Sequence, residues 1–164
     1  MEKFRLYSVR PEAMAADYPK SHFKPTPPYI GKFAVLSYFV PSGLMHPEDL
    51  ARYVSLSSNM SGVCECVGEE GGWVVLRSSS GGECRVNPDR LIWVPAPKFK
   101  IGDKVITKVG TSRTGWIYTL EWHFKQKRQT YYIEILIADE TRKKRHSRRY
   151  WEEELQFCAE KDQV

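Results

Sequence analysis

The sequence predicts an all-β protein of two small antiparallel barrels in tandem, with an N-terminal extension and one short helix. Two observations lead to this prediction. Short runs rich in Val, Ile, Tyr, Phe and Trp alternate with turns rich in Gly, Pro, Ser and Asp along most of the 164 residues. The same order of strand and turn signals occurs twice, first in residues 30–97 and again in residues 98–164.

Residues 1–29 are predicted to precede the first barrel. A short strand is expected in residues 1–10, and Pro11 at a first helical position favours one helical turn in residues 11–16. Residues 17–29 contain four prolines, which exclude both a helix and an internal strand. This part of the chain is therefore expected to be an extended tether.

The first barrel is expected in residues 30–97, with an insertion at 41–60. Its strands are predicted in IGKFAVLSYFV, GVCECVG, WVVLRS, CRV and NPDRLIWVP. The insertion contains HPEDLARYVSL, where Pro47 followed by two acidic residues favours a short helix. Pro95 and Pro97 interrupt the strand pattern and mark the end of this half.

The second barrel is expected in residues 98–164. Its strands are predicted in FKIGDKVITKV, with a turn at Gly102 and Asp103, and in TGWIYTLEWHF, TYYIEILIA and YWEEELQF. The basic runs KQKRQ and DETRKKRHSRR are expected to be connections between strands. Strict alternation would place five residues on one face of the second strand, namely Trp116, Tyr118, Leu120, Trp122 and Phe124. In the third strand it would place Tyr131, Ile133, Ile135 and Ile137 on the core face.

The two halves can be aligned feature by feature. IGKFAVLSY corresponds to IGDKVITKV, SGVCECV to TGWIYTL, GGWVVLR to TYYIEILI and NPDRLIWV to WEEELQFC. This pattern resembles the SH3-like small barrels, a group that includes the KOW and Tudor domains. The residues that support the resemblance are Gly31, Lys32, Gly62, Val63, 89–91, 102–105, Gly115, Trp116 and 153–155. The resemblance covers about residues 30–157, and it implies a fold but no specific function.

The positive charge of the chain is confined to its second half. Residues 1–97 contain ten basic and ten acidic residues, whereas residues 98–164 contain fifteen and ten. The whole net charge of +5 therefore belongs to the second predicted barrel. This asymmetry favours an anionic partner for that half.

The predicted binding site consists of basic connections with aromatic residues beside them. If both connections project from one side of the barrel, nine cations converge there, with Trp122, Tyr132, Tyr150 and Trp151 nearby. Cations contact phosphates and aromatic rings stack unpaired bases, so the first hypothesis is non-enzymatic binding of DNA or RNA. The candidate residues are Lys125, Lys127, Arg128, Arg142, Lys143, Lys144, Arg145, Arg148, Arg149, Trp122 and Tyr132.

Two other interpretations of the same features remain open. The basic loops are also explained as solvated segments whose charges pair with the acidic residues 152–154. Alternatively, the protein is an assembly subunit that docks on a larger protein or nucleoprotein complex. The insertion and the proline-rich tether would then be its docking elements.

Other chemistry has weaker support in the sequence. Cys64, Cys66 and Cys84 could share one sheet face and hold a zinc ion, but paired CxxC spacing is missing, so core thiols without a cofactor are expected. An aromatic cage for a methylated cation is a further alternative. The four histidines lie in unrelated contexts without a catalytic motif, so no enzymatic activity is expected. The sequence has no apolar signal core or bilayer-spanning run, so a cytoplasmic protein without membrane partners is expected.

Overall fold

The computed structural model describes residues 25–35, 45–49, 62–136 and 142–159. The described chain is all-β, as predicted, and its helical structure consists of three short 3-10 turns. The strands are β1 (Phe33–Val35), β2 (Val63–Glu70), β3 (Trp73–Arg77), β4 (Glu83–Val86), β5 (Ile92–Val94), β6 (Lys104–Thr107), β7 (Thr114–His123), β8 (Arg128–Leu136), β9 (Lys143–Arg145) and β10 (Leu155–Phe157). The 3-10 turns are Pro47–Asp49, Pro88–Arg90 and Glu152–Glu154.

The strands form two five-stranded antiparallel sheets with the same plan. The first sheet has the order β4-β3-β2-β1-β5, and the second has the order β10-β6-β7-β8-β9. In both, four strands follow one another as neighbours and the fifth returns to pair with the first. In both, a 3-10 turn lies directly before that last strand. The two halves predicted from the sequence therefore correspond to the two sheets.

The turn before the first strand is the same in both halves. Gly31 and Gly102 have φ angles of 81° and 90°, which glycine adopts without the steric cost that other residues incur. The Gly31 N–H donates to the Cys66 carbonyl, and the Gly102 N–H donates to the Ile117 carbonyl, both at 2.8 Å. These bonds fix the first strand of each sheet against the second.

The second strand of each sheet carries a β-bulge at the equivalent place. The register shifts between Cys66 and Gly68 in β2, and between Ile117 and Thr119 in β7. Since Phe33 pairs with Glu65 and Lys104 pairs with Trp116, Glu65 and Trp116 occupy equivalent positions. The correspondence of SGVCECV to TGWIYTL is therefore wrong by two residues, because it aligns glycines instead of strand registers.

The bulge also corrects the predicted faces of β7. Ile117 lies before the bulge and Leu120 after it, and both are buried in one core. Trp122 packs against that core as well, whereas Trp116 and Tyr118 lie outside it. Strict alternation failed here because an extra residue in one strand moves every later side chain to the other face. In β8 the predicted core face is confirmed, since Tyr131, Ile133 and Ile135 are buried.

Both sheets are open in the described part of the chain, which corrects the expectation of closed barrels. The outer strands β4 and β5 of the first sheet do not pair, nor do β9 and β10 of the second. Their edges are protected by other means. Met45 forms a single bridge to Val86 beside β4, and β9 is only three residues long with exposed basic side chains. Short, charged edge strands discourage pairing with other chains.

Two hydrophobic cores share the first sheet. One core lies on one face of this sheet and includes Tyr29, Leu76 and Trp93. The other core lies between the two sheets and combines the apolar residues of the second sheet with Phe33, Val35, Val63, Ile92 and Val94. Strands β1 and β5 are consequently buried on both faces. The predicted boundary at residues 97 and 98 separates the two sheets but not the core between them.

Some predictions concern segments outside the described residues. They include the N-terminal strand and helical turn, most of the tether, residues 36–40 of the first predicted strand, Ile137 and most of the insertion. Within the described part of the insertion, the predicted helix starts at Pro47 as a single 3-10 turn. Strand β9 was not predicted, because three consecutive basic residues gave no apolar strand pattern.

Candidate nucleic-acid interface

Four aromatic side chains lie on the second sheet outside the core, and we call them the aromatic stripe. Trp116 and Tyr118 come from β7, Tyr132 comes from β8, and Trp151 lies between β9 and β10. All four are half-buried. The Tyr118 and Tyr132 rings have centroids 6.3 Å apart, and the Tyr132 hydroxyl donates a 3.1 Å hydrogen bond to Glu121. The stripe is therefore anchored but retains accessible ring surface.

Cationic side chains lie over the Trp116 and Tyr118 rings. The Lys143 and Lys104 ammonium groups are 4.6 and 5.6 Å from the centroid of Trp116. The Arg145 guanidinium is 4.9 Å from the centroid of Tyr118. These are cation–π distances, and each contact contributes about 0.5–1 kcal/mol at an exposed site. Positive charge and aromatic surface are thus presented together.

The Trp151 end of the stripe is built in the same way. The Arg128 guanidinium lies over the Trp151 ring, 3.6 Å from its centroid, and Arg149 lies 5.6 Å from it. His123 contacts the same ring edge-on, with the centroids 5.4 Å apart. Five cations therefore flank the stripe from its Trp116 end to its Trp151 end.

The tyrosines of the stripe stay neutral at physiological pH. Burial raises the pKa of Tyr118, and burial together with the Glu121 carboxylate raises the pKa of Tyr132. Neutral phenol rings add no negative charge to the surface. The charges at this surface are consequently those of the surrounding lysines and arginines and of the Glu121 and Glu134 carboxylates.

The predicted basic residues lie along the second sheet and do not converge at one end. Arg128 begins β8 next to the hairpin turn that holds Lys125 and Lys127, whereas Lys143 pairs with Leu136 at the end of β8. These ends are eight residues apart, or about 26 Å at strand rise. The segment from residue 143 to Tyr150, which bridges Tyr131, runs back beside β8. The cations thus form a line along the sheet.

Three of the predicted cations are already in ion pairs. Arg128 contacts Glu153 at 2.9 Å, Arg145 contacts Glu134 at 3.3 Å, and Arg148 contacts Glu154 at 3.0 Å. The expected pairing with the acidic residues 152–154 is therefore present at two of these positions. Exposed pairs of this kind contribute about 0–1 kcal/mol, so a phosphate can compete for the arginine. In the described chain, Lys125, Lys127, Arg142 and Lys144 form no ion pair.

The structure places the two aromatic members of the predicted site in different surroundings. Tyr132 belongs to the aromatic stripe, but Trp122 packs against the core between the sheets and lies apart from it. Trp151 was expected near the basic connections, whereas Trp116 and Tyr118 were not expected to belong to this site. When the two sheets are aligned by their strand pairing, they differ at this surface. Glu65, Val67 and Val75 of the first sheet stand where the second sheet has Trp116, Tyr118 and Tyr132.

One ion pair is present in both sheets with its charges exchanged. Arg77 of β3 contacts Glu83 of β4 at 2.6 Å. At the equivalent positions, Glu134 of β8 contacts Arg145 of β9. The exchange places an arginine beside the aromatic stripe where the first sheet has a glutamate.

The candidate metal ligands lie in the first core. Cys64, Cys66 and Cys84 are buried there and are not joined in disulfides, and the Cys66 thiol donates to the Gly68 carbonyl at 3.4 Å. Burial raises the pKa of Cys66, which favours the protonated thiol. In the ranges that the structure describes, no group of three or more His, Cys, Asp or Glu side chains is placed to hold a metal ion.

These features define a class of protein: an all-β chain of two matched antiparallel sheets, one of which carries an aromatic and cationic surface. The chain belongs to a family of unknown function (DUF6960), whose model matches residues 29–156. The match spans both sheets, including the aromatic stripe. Comparisons with curated proteins and with solved structures give no match. Of the helical turns in the described ranges, none has the length and hydrophobicity needed to cross a bilayer.

Proposed function

We propose that this protein binds single-stranded DNA or RNA, without catalysis, through the aromatic stripe and its flanking cations. The observation that carries the proposal is the difference between the two sheets. They share strand order, turn and bulge, yet the stripe and its cations occur on the second sheet alone within the described residues. A shared scaffold with one specialised surface is expected when that surface has a separate task.

The chemistry of the stripe suits an unpaired strand. Bases of single strands stack on aromatic side chains with about 1–3 kcal/mol each, and any base provides a suitable face. The line of cations would follow the phosphates, so the contacts would favour affinity over sequence choice. A base that enters the stripe has to displace a lysine or arginine from its ring. The displaced cation then remains close enough to contact a phosphate.

We also propose that the two sheets are SH3-like units. The support is the strand order, in which the last strand returns to pair with the first after a 3-10 turn. The repeated turn at Gly31 and Gly102 and the repeated bulge add to it. The units would be open versions of that fold, joined by the core between them.

The decisive experiment compares two arginines in equivalent surroundings. Arg145→Gln and Arg77→Gln each break one exposed ion pair with a glutamate on the neighbouring strand and remove one charge. Binding of a labelled oligothymidine and a labelled oligouridine is measured for each variant over a salt series. We expect Arg145→Gln to weaken binding and to reduce the salt slope by about 0.7, while Arg77→Gln has little effect.

The stacking contribution is tested with Trp116→Leu. Trp73→Leu is the control, since Trp73 is a half-buried strand tryptophan of the first sheet. Trp116→Leu should lower affinity by about tenfold, in line with the loss of one stacked base. Equal effects of the two variants, or binding of the wild type that does not fall with salt, would exclude the proposal. The assembly hypothesis would then be the one to pursue by affinity capture.

A further inference from the structure

A second recessed surface lies on the other side of the basic hairpin. It is a groove of about 550 Å³, located where the connection between the two sheets passes over the second sheet. Grooves of this size, at the junction of two structural units, are typical sites for small ligands. Its lining residues are Pro95, Ala96, Lys98, Lys108, Trp122, Lys127, Arg128, Gln129, Glu152 and Glu153.

The groove has an excess of positive charge. Four of its lining residues are cationic and two are acidic. Both acids are engaged, since Glu153 contacts Arg128 at 2.9 Å and Glu152 lies 3.9 Å from the Lys98 ammonium. In the described ranges neither Lys108 nor Lys127 lies within salt-bridge distance of a carboxylate, although Lys108 is close enough to help lower the pKa of Glu153. The four cations and two acids leave an excess of two positive charges, which matches the charge of a phosphate monoester.

Arg128, which lines the groove, has a donor without an acceptor. Its Nε atom is buried, and no described residue accepts a hydrogen bond from it. The rest of this guanidinium is fixed by Glu153 and by the Trp151 ring. A buried donor without a partner costs about 1–3 kcal/mol, so a small shift of the Arg128 side chain that brings Nε to a ligand acceptor would be favourable.

The remaining walls are rigid and offer a flat apolar surface. Trp122 is half-buried and packs against the core between the sheets, which holds its indole in place while part of it faces the groove. The Gln129 side chain donates a hydrogen bond to the Pro95 carbonyl, which ties the connection to β8. A preformed wall reduces the ordering that a ligand has to impose when it binds.

We propose that this groove binds a phosphorylated ligand of nucleotide size. Its phosphate contacts Lys108 and Lys127, and its ring stacks on Trp122. The site shares Arg128 with the cations of the aromatic stripe but has an aromatic surface of its own, because Trp122 lies on the core side of β7. The chemistry is the same whether the phosphate belongs to a free nucleotide or to the phosphorylated end of a short strand. The proposal stands independently of nucleic-acid binding by the stripe.

The test uses the full chain and three probes in calorimetric titrations: adenosine 5′-monophosphate, adenosine and a 5′-phosphorylated trinucleotide. The double variant Lys108→Gln/Lys127→Gln should lower the affinity for the monophosphate by about tenfold or more. The control double variant Lys100→Gln/Lys125→Gln removes the same charge outside the groove and should leave the affinity unchanged. Trp122→Leu should reduce binding of the monophosphate. It should also remove the change in tryptophan fluorescence that accompanies binding.

Each outcome decides one point. Tighter binding of the trinucleotide than of the monophosphate, if the Lys108→Gln/Lys127→Gln variant loses the difference, identifies a strand end as the ligand, and equal binding identifies a free nucleotide. The proposal is overturned if the monophosphate does not bind at millimolar concentration, if adenosine binds equally well, or if both double variants have the same effect. Trp116→Leu should keep full affinity for the monophosphate, so failure of this site and failure of the aromatic stripe give different results.

Discussion

Asp49 shows how one residue fixes an inserted segment to a sheet. Its carboxylate is buried and accepts hydrogen bonds from the Arg85 backbone N–H at 2.7 Å and from Nε and Nη2 of Arg85 at 3.0 Å. Asp49 lies in the 3-10 turn of the insertion, and Arg85 lies in β4. The Asp49 and Glu48 carboxylates raise the pKa of Arg85, so this pair remains charged.

We predict that Asp49→Ala lowers the free energy of unfolding by about 3 kcal/mol, because the variant leaves the Arg85 side chain without its buried partner. Urea denaturation followed by circular dichroism measures the change. Glu48→Ala is the matched control, since Glu48 contacts the same guanidinium at 2.9 Å but is 72% exposed. Similar losses for both variants would show that burial of Asp49 is not what matters.

The sequence indicates for Asp49 only a favourable charge at the start of a helix. Its partner lies 36 positions away in another element, and neither residue carries a pattern that indicates the pairing. The same limit applies to the aromatic stripe. Tyr132 could be selected because it follows a basic run along the chain, whereas Trp116 meets Lys143 through strand pairing alone.

At the scale of elements, β7 and β8 determine where the stripe lies. The order of these strands and the apolar face of β8 could be predicted from their side-chain periods. The bulge at residue 118 could not, because neither a glycine nor a proline marks it in the sequence. It lets both Ile117 and Leu120 enter the core while Trp116 and Tyr118 stay outside. Because this one extra residue was not predicted, the side chains on the outer surface of β7 were predicted incorrectly.

The pairing of β7 with β8 leaves no room for a side chain at Gly115. A Cβ atom at this position would lie 2.7 Å from the Glu134 carbonyl oxygen, which belongs to the backbone. We predict that Gly115→Ala lowers the free energy of unfolding by about 2–3 kcal/mol, because the two strands must separate locally. Thermal unfolding followed by circular dichroism tests this value.

Gly68 provides the control within the other sheet. It lies at the bulge of β2, where an added Cβ would meet the Val75 side chain at 3.5 Å, an ordinary contact. Gly68→Ala should therefore change stability by less than about 1 kcal/mol. If this substitution is as harmful as Gly115→Ala, the close approach of β7 and β8 is not the cause.

At the scale of the whole molecule, the two sheets depend on one another. Strands β1 and β5 belong to the first sheet, yet Phe33, Val35, Ile92 and Val94 complete the core of the second. The sequence indicated this burial only indirectly, through apolar runs without alternation such as FAV and IWV. A local sequence pattern does not show which sheet covers the second face of β1 and β5, because that depends on long-range packing.

We predict that Phe33→Ala lowers the free energy of unfolding by about 3–4 kcal/mol and destabilises both sheets together. Hydrogen exchange measured over a urea series should show the amides of β3 and β8 losing protection at the same urea concentration. In the variant, this shared midpoint should move to a lower urea concentration. Phe124→Ala serves as control, since Phe124 is 38% exposed. Separate midpoints for the two strands would instead indicate two independent folding units.

The burial of β1 and β5 on both faces also bears on how this family can diverge. Every residue of Phe33–Val35 and Ile92–Val94 packs into one core or the other and none faces solvent, so these short segments should drift slowly. The outer positions carry no such constraint, and Glu65 and Trp116 show how far equivalent sites have separated. Distant relatives should therefore be recognised by their doubly buried strands and should differ most at their outer faces.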